Sequence, residues 1–299
     1  MPLTNTSHFR VRYVECEAHG HVNNANYLRY MQEAAFDASA AAGYDVQRYD
    51  ELGQYWLVRE TEIEYFKLLK YGDEFEIKTW VVDFRRVRSR RAYEFRLAGS
   101  GELIARGLTD WVYIDQATQR PVNVPPEMIR AFAPEDEKTT AQSRDAFPKP
   151  PPPPPEVFKM RRRVMWQDID QAQHVNNAVY LSYVEDCGFQ LVKHFKWPAQ
   201  RMRDEGCAIL IRQHHIQYVQ PALLDDEIEV ASYVYDVRRA SAMRYYAITR
   251  VSDGALLAQV NSLGVWVDLK TGLPARFPAE FLADFAPNAA LTVSPNAAT

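Results

Sequence analysis

Residues 21–27 read HVNNANY and residues 174–180 read HVNNAVY, so nearly the same heptapeptide occurs twice in this chain of 299 residues, 153 positions apart. When the sequence is shifted against itself by 153 positions, many more identical residues align without a gap, from Tyr30 with Tyr183 to Phe132 with Phe285. A period this long corresponds to a whole domain, because solenoid repeats are roughly 20–50 residues long. The chain is therefore predicted to be a tandem domain duplication.

The length of the chain agrees with two domains, since each half is large enough to bury its own core. We predict a first domain at residues 1–147 and a second at residues 156–286. The Pro-rich segment 148–155 between them is predicted to be a stiff, extended polyproline II spacer. The alternative is that its prolines are a ligand for a Pro-binding partner. Residues 287–299 are small and polar and are predicted to be a frayed tail.

A long amphipathic helix is predicted directly after each heptapeptide, because apolar residues recur there at the three- and four-residue spacing of one helix face. Asn23 or Asn24 is predicted to cap the first helix and Asn176 or Asn177 the second. At that place a short side-chain oxygen accepts a hydrogen bond from an otherwise unpaired N–H group. Gly43 is predicted to end the first helix.

Most of the remaining sequence alternates with the two-residue period of half-buried strands. One strand is predicted at residues 9–16, before the heptapeptide. Four more follow the helix, at residues 56–66, 73–86, 88–98 and 103–115, and each has a counterpart 153 positions later. Each domain is therefore predicted to have an α+β fold, in which a largely antiparallel sheet of about five strands wraps one long helix.

The composition is that of an ordinary globular protein, with 47% hydrophobic and 25% charged residues. A net charge of −4 gives no general attraction to nucleic acid or to an anionic membrane. Three cysteines are too few for a disulfide framework, which favours the cytoplasm. No window approaches 18 apolar residues, and residues 1–13 lack the apolar core of a signal peptide, so neither export nor a membrane span is expected.

Groups capable of chemistry lie just before each predicted helix. A carboxylate stands four residues before each repeated histidine, Glu17 before His21 and Asp170 before His174. A carboxylate can act as a nucleophile or a general base, and a helix N-terminus can hold negative charge that develops on a carbonyl oxygen. Two alternatives stay open: Asp170 caps its own turn, and the histidines hold the helix entry in place by bonding across the loop.

The order of carboxylate, HVNNxxY, amphipathic helix and antiparallel sheet resembles the hotdog-fold thioesterases, specifically the 4-hydroxybenzoyl-CoA thioesterase and acyl-CoA/acyl-ACP thioesterase branch. The resemblance covers residues 9–133 and 160–286. It implies a tandem double hotdog whose halves pair as two single-domain subunits would. It also implies hydrolysis of an acyl-CoA or acyl-ACP thioester to a free acid and a thiol.

The resemblance implies roles for individual residues. The family's loop aspartate is catalytic and falls on Asp170, while Glu17 takes that position in the first copy. Plant acyl-ACP thioesterases have Asp, Asn and His at alternate loop positions, which are Asp170, Ala172 and His174 here. The family's helix glutamate falls on Glu185. The implied catalytic residues are Asp170, His174, Glu17 and His21, and the implied substrate-binding residues are Asn177, Asn24, Glu185, Tyr180 and Tyr27. Asn24 and Asn177 are predicted to be caps rather than side chains that touch substrate.

The implied partners are a small acyl thioester or an acyl carrier protein, with coenzyme A present only as part of the substrate. No further cofactor is expected, and no metal, because the histidines lack the spacing of metal ligands. Neither nucleic acid nor a membrane is an expected partner. The resemblance allows homo-oligomers of the double-hotdog chain. Two alternative functions stay open: a hotdog hydratase or dehydratase acting on acyl thioesters, and a non-catalytic acyl-thioester-binding protein.

A cluster of arginines is predicted at the turn between two strands of the first domain. The cluster suits the phosphates of coenzyme A or the acidic surface of an acyl carrier protein. A solvated hairpin is the favoured interpretation. The arginines concerned are Arg85, Arg86, Arg88, Arg90 and Arg91.

Overall fold

The computed structural model describes residues 3–133 and 146–290, so most of the tail predicted at 287–299 lies outside the described residues. The chain separates into two compact units, Met1–Ala146 and Phe147–Thr299. This division places the Pro-rich segment 148–155 in the second unit. None of the helices in the two described ranges is both long enough and apolar enough to cross a bilayer.

The first unit is an antiparallel sheet with one long helix. Over residues 3–133 its strands are β1 (Thr4–Arg10), β2 (Gln54–Tyr65), β3 (Glu74–Arg85), β4 (Arg88–Leu97) and β5 (Leu103–Asp115). Its helices are α1 (Asn24–Ala41), α2 (Val46–Leu52) and α3 (Pro126–Phe132). The strand order is β1-β3-β4-β5-β2, and every neighbouring pair is antiparallel.

The second unit repeats this plan. Its strands, over residues 146–290, are β6 (Phe158–Arg163), β7 (Cys207–Tyr218), β8 (Glu227–Tyr235), β9 (Ser241–Arg250) and β10 (Leu256–Asp268). Its helices are α4 (Val179–His194), α5 (Ala199–Asp204) and α6 (Ala279–Phe285). The order β6-β8-β9-β10-β7 matches that of the first unit strand for strand, which confirms the duplication.

The predicted α+β fold is confirmed in both units, with each of the four strands expected after the long helix. The strand predicted at residues 9–16 is wrong. The strand is Thr4–Arg10, which pairs with β3, and Tyr13–Glu15 forms a 3-10 turn. The turn forms because the Glu15 carboxylate accepts the backbone N–H of Arg12 at 2.6 Å, which closes the chain on itself.

Both long helices bury the apolar face that their periodicity predicted. In α1 this face includes Tyr27, Leu28 and Met31, each no more than 2% exposed. The end of the Met31 side chain occupies the space that a Cβ at Gly107 of β5 would need. Helix α1 therefore lies directly on its sheet.

Candidate active site

The loop before α4 is a tight turn that brings Asp170 and His174 together. Ile169 and Val175 form an antiparallel bridge, and inside it the N–H of Asp170 donates to the carbonyl of His174 at 3.1 Å. The N–H of Gln173 donates back to the carbonyl of Asp170 at 3.0 Å. These bonds fix the backbone, so two side chains four residues apart emerge close to each other.

The first unit has the same turn. The N–H of Glu17 donates to the carbonyl of His21 at 2.8 Å, and the N–H of Gly20 donates to the carbonyl of Glu17 at 2.9 Å. Gly20 has a φ of 80°, and Gln173 at the equivalent position has a φ of 63°. Glycine adopts this left-handed conformation easily, whereas glutamine pays a steric cost. The second copy therefore stores backbone strain beside Asp170.

Asp170 forms two hydrogen bonds inside its own loop. Its Oδ1 accepts the N–H of Ala172 at 2.9 Å, and its Oδ2 accepts an amide N–H of Asn176 at 3.2 Å. Its Oδ1 lies 4.0 Å from Nδ1 of His174, and 29% of the side chain is exposed. Asp170 thus does cap its turn, as the alternative interpretation held, and it also remains reachable from solvent beside the histidine.

Glu17 reaches its histidine differently. Its Oε1 lies 3.2 Å from Nε2 of His21, because the extra methylene carries the carboxylate to the far ring nitrogen. Nδ1 of His21 contacts the carbonyl of Val22 at 3.3 Å, and Nδ1 of His174 contacts the carbonyl of Val175 at the same distance. A carbonyl only accepts, so these contacts require a proton on Nδ1. In the neutral ring that leaves the lone pair on Nε2, an atom that is buried in His174 and that faces the Glu17 carboxylate in His21.

The two asparagines of each heptapeptide have different roles. Oδ1 of Asn23 accepts the N–H of Ala25 at 3.0 Å, and Oδ1 of Asn176 accepts the N–H of Ala178 at 3.0 Å. The capping role predicted for Asn24 and Asn177 is therefore wrong. A cap needs an extended backbone just before the first helical residue, and Asn23 has it, with φ −63° and ψ 139°.

Asn24 is the first residue of α1, and Asn177 lies in the turn that leads into α4. The carbonyl of Asn177 accepts the hydroxyl of Tyr218 at 2.9 Å. This bond ties the start of α4 to β7. A substrate contact by Asn24 or Asn177 stays a prediction.

Tyr180 and Tyr27 brace the loop from inside the core. The hydroxyl of Tyr180 accepts the N–H of Ala222 at 3.0 Å, and the carbonyl of Ala222 accepts the N–H of Val175 at 2.9 Å. Tyr27 makes the equivalent pair of hydrogen bonds in the first unit through Leu69. Burial is the main cause that raises the pKa of Tyr180 to about 12, so the hydroxyl stays neutral. The structure shows a packing role for these two tyrosines, and substrate contact by them stays a prediction.

A buried carboxylate that sequence reasoning missed holds each loop to its helix. Oδ2 of Asp168 accepts the hydroxyl of Tyr183 at 2.8 Å and the N–H of Met165 at 2.9 Å. The signal was present in the sequence, because Tyr30 and Tyr183 are identical and the residues fifteen positions before them, Glu15 and Asp168, are both acidic.

Glu15 plays the same part in the first unit. It accepts bonds from the guanidinium of Arg12 and the hydroxyl of Tyr30. Burial opposes its ionisation, but the bonds from Arg12 and Tyr30 hold the pKa of the Glu15 carboxyl below its ordinary value. A charged carboxylate therefore anchors the turn that precedes Glu17.

A family model described as the thioesterase-like superfamily matches residues 11–132 and, a second time, residues 164–285. The chain belongs to the thioesterase-like superfamily. The two matches fall one in each structural unit, and they confirm the resemblance that rests on the repeated heptapeptide. Asp170, His174, Glu17 and His21 all lie inside the matched regions.

Relatives within this superfamily include plant and bacterial proteins. The chain is 24% identical over 191 residues to the chloroplastic acyl-[acyl-carrier-protein] hydrolase of Cuphea viscosissima, and the match covers 61% of this chain but only 46% of that protein. It is 26% identical over 129 residues to the acyl-CoA thioester hydrolase YbgC of Escherichia coli O157:H7, and this match covers 43% of this chain and 96% of YbgC.

The fold is also shared with solved structures of thioesterases. The acyl-ACP thioesterase of Bacteroides thetaiotaomicron superimposes with a TM-score of 0.67 at 16% identity, over 87% of this chain and 97% of that one. At this level of identity the likeness establishes the fold alone, and it confirms the predicted double hotdog.

Glu185 and an apolar cavity lie further along the second unit of this thioesterase-like chain. Glu185 is half-buried on α4, one turn before Gly188, whose missing side chain leaves room for the hydroxyl of Tyr246 and the guanidinium of Arg244. The same two polar groups and Ser262 line one part of a cavity of about 70 Å³. The remaining wall is apolar and includes Ile209, Ile211, Val234, Ala242, Phe277 and Phe281.

The arginine cluster divides into buried and exposed members. Arg90 forms a two-pronged ion pair with Asp110, at 3.0 Å from Nε and 2.7 Å from Nη2, and it is only 7% exposed. Arg91 is equally buried and points its guanidinium over the ring of Phe132. For these two the prediction of a solvated hairpin is wrong, because Arg90 is paired with Asp110 and Arg91 packs against Phe132. Arg85, Arg86 and Arg88 are exposed.

Proposed function

We propose that this chain hydrolyses acyl thioesters to a free acid and a thiol. The observation that carries the proposal is the partly exposed Asp170 carboxylate, held beside His174 at the entry of α4 in a chain of the thioesterase-like superfamily. Relatives named as an acyl-[acyl-carrier-protein] hydrolase and an acyl-CoA thioester hydrolase support the same reaction. Glu17 and His21 form a related pair in the first unit.

Two routes fit these groups. In the first, Asp170 accepts a proton from water as the water oxygen bonds to the thioester carbonyl carbon; the carbon–sulfur bond then breaks and the thiolate leaves. In the second, Asp170 itself attacks, the thiolate leaves, and water hydrolyses the resulting mixed anhydride. In both, the positive end of α4 stabilises the oxygen that gains negative charge. In the first route the leaving thiolate takes up the proton that Asp170 accepted, and His174, whose Nε2 is buried, holds the loop beside Asp170.

The acyl group of the substrate needs an apolar surface. We propose that the cavity beneath α6 receives it, because α4 runs from the Asp170 loop towards that cavity. Gly188, which faces the cavity residues Arg244 and Tyr246, lies nine residues after the start of α4. At 1.5 Å per residue this is roughly 14 Å along the helix, which is the span of a medium-length acyl chain.

The thiol part of the substrate is coenzyme A or an acyl carrier protein. Both carry phosphate, and a carrier protein presents an acidic surface as well. Arg86 and Arg88 are exposed beside the β3–β4 turn, where guanidinium forks can bind either partner. Replacing both with alanine should raise KM and leave kcat nearly unchanged. Arg120, which is exposed elsewhere in the same unit, is the control position.

A thiol-release assay over acyl-CoA and acyl-ACP substrates of graded chain length tests the function. The wild type should release free thiol, Asp170→Asn should lose most of this activity, and Asp186→Asn, an exposed aspartate on α4, should keep it. A change in enoyl absorbance without thiol release would indicate a hydratase instead. Binding without any turnover would indicate an acyl-thioester sensor.

A single turnover in water labelled with oxygen-18 tests for direct attack by Asp170. In that route, water that attacks the anhydride at the carboxyl carbon of Asp170 leaves the label in the Asp170 side chain. If Asp170 activates water, the label enters only the released acid, so label in Asp170 demonstrates the anhydride. Mass spectrometry of the peptide containing Asp170 reads out the difference.

A further inference from the structure

A row of polar and aromatic side chains crosses the outer face of the second sheet. Tyr233 of β8, Tyr245 of β9, Asn261 of β10 and His215 of β7 are successive register partners across the four strands. Neighbouring residues in a strand point to opposite faces. Tyr246 faces Gly188 of α4, so the row that contains Tyr245 lies on the face away from that helix.

The Pro-rich segment lies across this row. The ring of Phe147 lies 4.8 Å from the ring of His215, and the hydroxyl of Tyr233 donates to the carbonyl of Pro151 at 2.6 Å. The rings of Tyr233 and Tyr245 are 5.4 Å apart, and residues 149–153 form a groove together with them. We refer to the surface made by Tyr233 and Tyr245 as the tyrosine groove.

The dimensions of the segment match those of the sheet. From β7 to β8 there are three strand spacings, which is roughly 14 Å. From Phe147 to Pro151 there are four steps of a polyproline II helix, which is roughly 12 Å at 3.1 Å per residue. A segment in polyproline II conformation is therefore about as long as the distance between the His215 contact and the Tyr233 contact.

The prolines differ in how far they are buried. Pro154 is buried, and Pro150 and Pro151 are half-buried. Pro148, Pro152, Pro153 and Pro155 are exposed. The segment therefore contacts the protein through Pro150, Pro151 and Pro154 and leaves its other prolines to solvent.

Both ends of the segment are anchored. Phe147 and Val157 pack against the cluster that contains Tyr233 and Tyr245. The side-chain amide of the fully buried Asn288 donates to the carbonyl of Glu156 at 2.8 Å and to β8 through the carbonyl of Ser232 at 3.0 Å. The segment is thus seated along its length rather than stretched freely over the surface.

We propose that the tyrosine groove is a polyproline-binding site whose ligand is the chain's own segment 149–153. A proline run offers carbonyl acceptors and flat apolar rings but has no N–H groups, and it loses little entropy on binding because it is already extended. Paired aromatic rings and a hydroxyl donor that meets a proline carbonyl are the groups that recognise such a ligand. When the chain's own segment occupies the groove, it fixes the path of residues 149–153 and keeps the groove closed to other proline-rich peptides.

Competition with a free peptide tests this proposal. In the full chain, Pro150→Ser, Pro151→Ser, Pro152→Ser and Pro153→Ser together vacate the groove. A fluorescent peptide of one lysine and six prolines should bind this variant at least about tenfold more tightly than it binds the wild type, because the tethered segment competes at a millimolar effective concentration. Adding Tyr233→Phe should weaken peptide binding. Adding Tyr235→Phe should not, because the Tyr235 hydroxyl donates to Asn261 instead.

The proposal would be overturned if the wild type and the vacated variant bound the peptide equally. It would also be overturned if the vacated variant had the circular dichroism of the folded wild type but did not bind the peptide. If the vacated variant does not fold, a nitroxide at Pro152→Cys in a Cys16→Ser background gives a second measurement, since Cys187 and Cys207 are buried. Tyr233→Phe should increase the motion of the label and Tyr235→Phe should not. Equal mobility in both would also overturn it.

Discussion

The hydroxyl of Tyr183 donates a 2.8 Å hydrogen bond to the buried carboxylate of Asp168 and so joins α4 to the turn that leads into the Asp170 loop. Tyr30 and Glu15 form the same pair 153 residues earlier. Asp168 is only 6% exposed, so it does not meet substrate itself. Its effect on any reaction at Asp170 is to fix the loop relative to the helix N-terminus.

Removing this bond should destabilise the second unit. Tyr183→Phe leaves the Asp168 carboxylate with one donor fewer in a buried place, and the loss of a hydrogen bond to a charged group costs about 1.5–3 kcal/mol of unfolding free energy. Tyr13→Phe, at a side chain that is 77% exposed, should change it by less than about 0.5 kcal/mol. Urea denaturation measures both, and equal effects would show that the pair does not anchor the loop.

The two candidate sites should contribute unequally to activity. Asp170→Asn should lower kcat by about 10²–10⁴, the range typical of removing an acid–base group. Glu17→Gln should cost much less, because Glu17 already lies against Nε2 of His21, whereas Asp170 lies 4.0 Å from its histidine. Steady-state thiol release compares the variants. A larger loss from Glu17→Gln would reverse the assignment.

Substitutions at the left-handed turn position should change the unfolding free energy in opposite directions in the two copies. Gln173→Gly relieves an unfavourable φ, although glycine also gains entropy in the unfolded chain, which opposes this effect. The net result should be an unfolding free energy raised by about 0.5–1 kcal/mol. Gly20→Ala should lower it by about 1 kcal/mol through backbone strain alone, since no atom lies within 4 Å of the added Cβ. Thermal unfolding of both variants checks the prediction, which is contradicted by shifts of the same sign.

Acid should destabilise the chain through His214. This ring is buried against Ser262, and burial lowers its pKa to about 3. Below its ordinary pKa of about 6.5 the unfolded chain binds a proton that the folded chain excludes, so the unfolding free energy falls as the pH drops from about 6.5 towards 3.

At pH 5 this effect amounts to about 2 kcal/mol. His214→Gln should reduce the loss of stability between pH 7 and pH 5 by that amount. His8→Gln, at an exposed position, should not change it. Denaturation curves at the two pH values give the comparison, and parallel losses in wild type and His214→Gln would exclude this origin.

Substrate length should depend on the cavity of the second unit. Ala242 lines the cavity, and leucine at this position would occupy part of its roughly 70 Å³. Ala242→Leu should lower kcat/KM for long acyl thioesters several-fold and leave short ones nearly unchanged. Ala283→Leu, on the exposed side of α6, is the matched control. A uniform loss across chain lengths would show that the acyl chain lies elsewhere.

The sequence by itself determined the duplication, the α+β class and the position of most elements. The duplication follows from residue identities that recur after 153 positions. The fold class and the elements follow from local periodicity: apolar residues three and four apart fix the buried face of α1, and two-residue alternation fixes β3. The repeated heptapeptide also identified the loop that holds Asp170 and His174. The periodic signals survive in the sequence because each depends on residues that are close together in the chain.

Only the tertiary structure decided which of two neighbouring asparagines caps a helix, which arginines are buried and which distant groups pair. Asn23 caps α1 because its backbone is extended, Arg91 is buried because it packs against Phe132, and Asp168 is an anchor because Tyr183 reaches it from α4. The strand predicted at residues 9–16 failed for the same reason, since pairing with β3 selects Thr4–Arg10. Hydrogen bonds and burial between distant residues leave no periodic trace. Even the repeated spacing of Glu15 with Tyr30 and of Asp168 with Tyr183 identifies a bonded pair only when the fold brings the two side chains together.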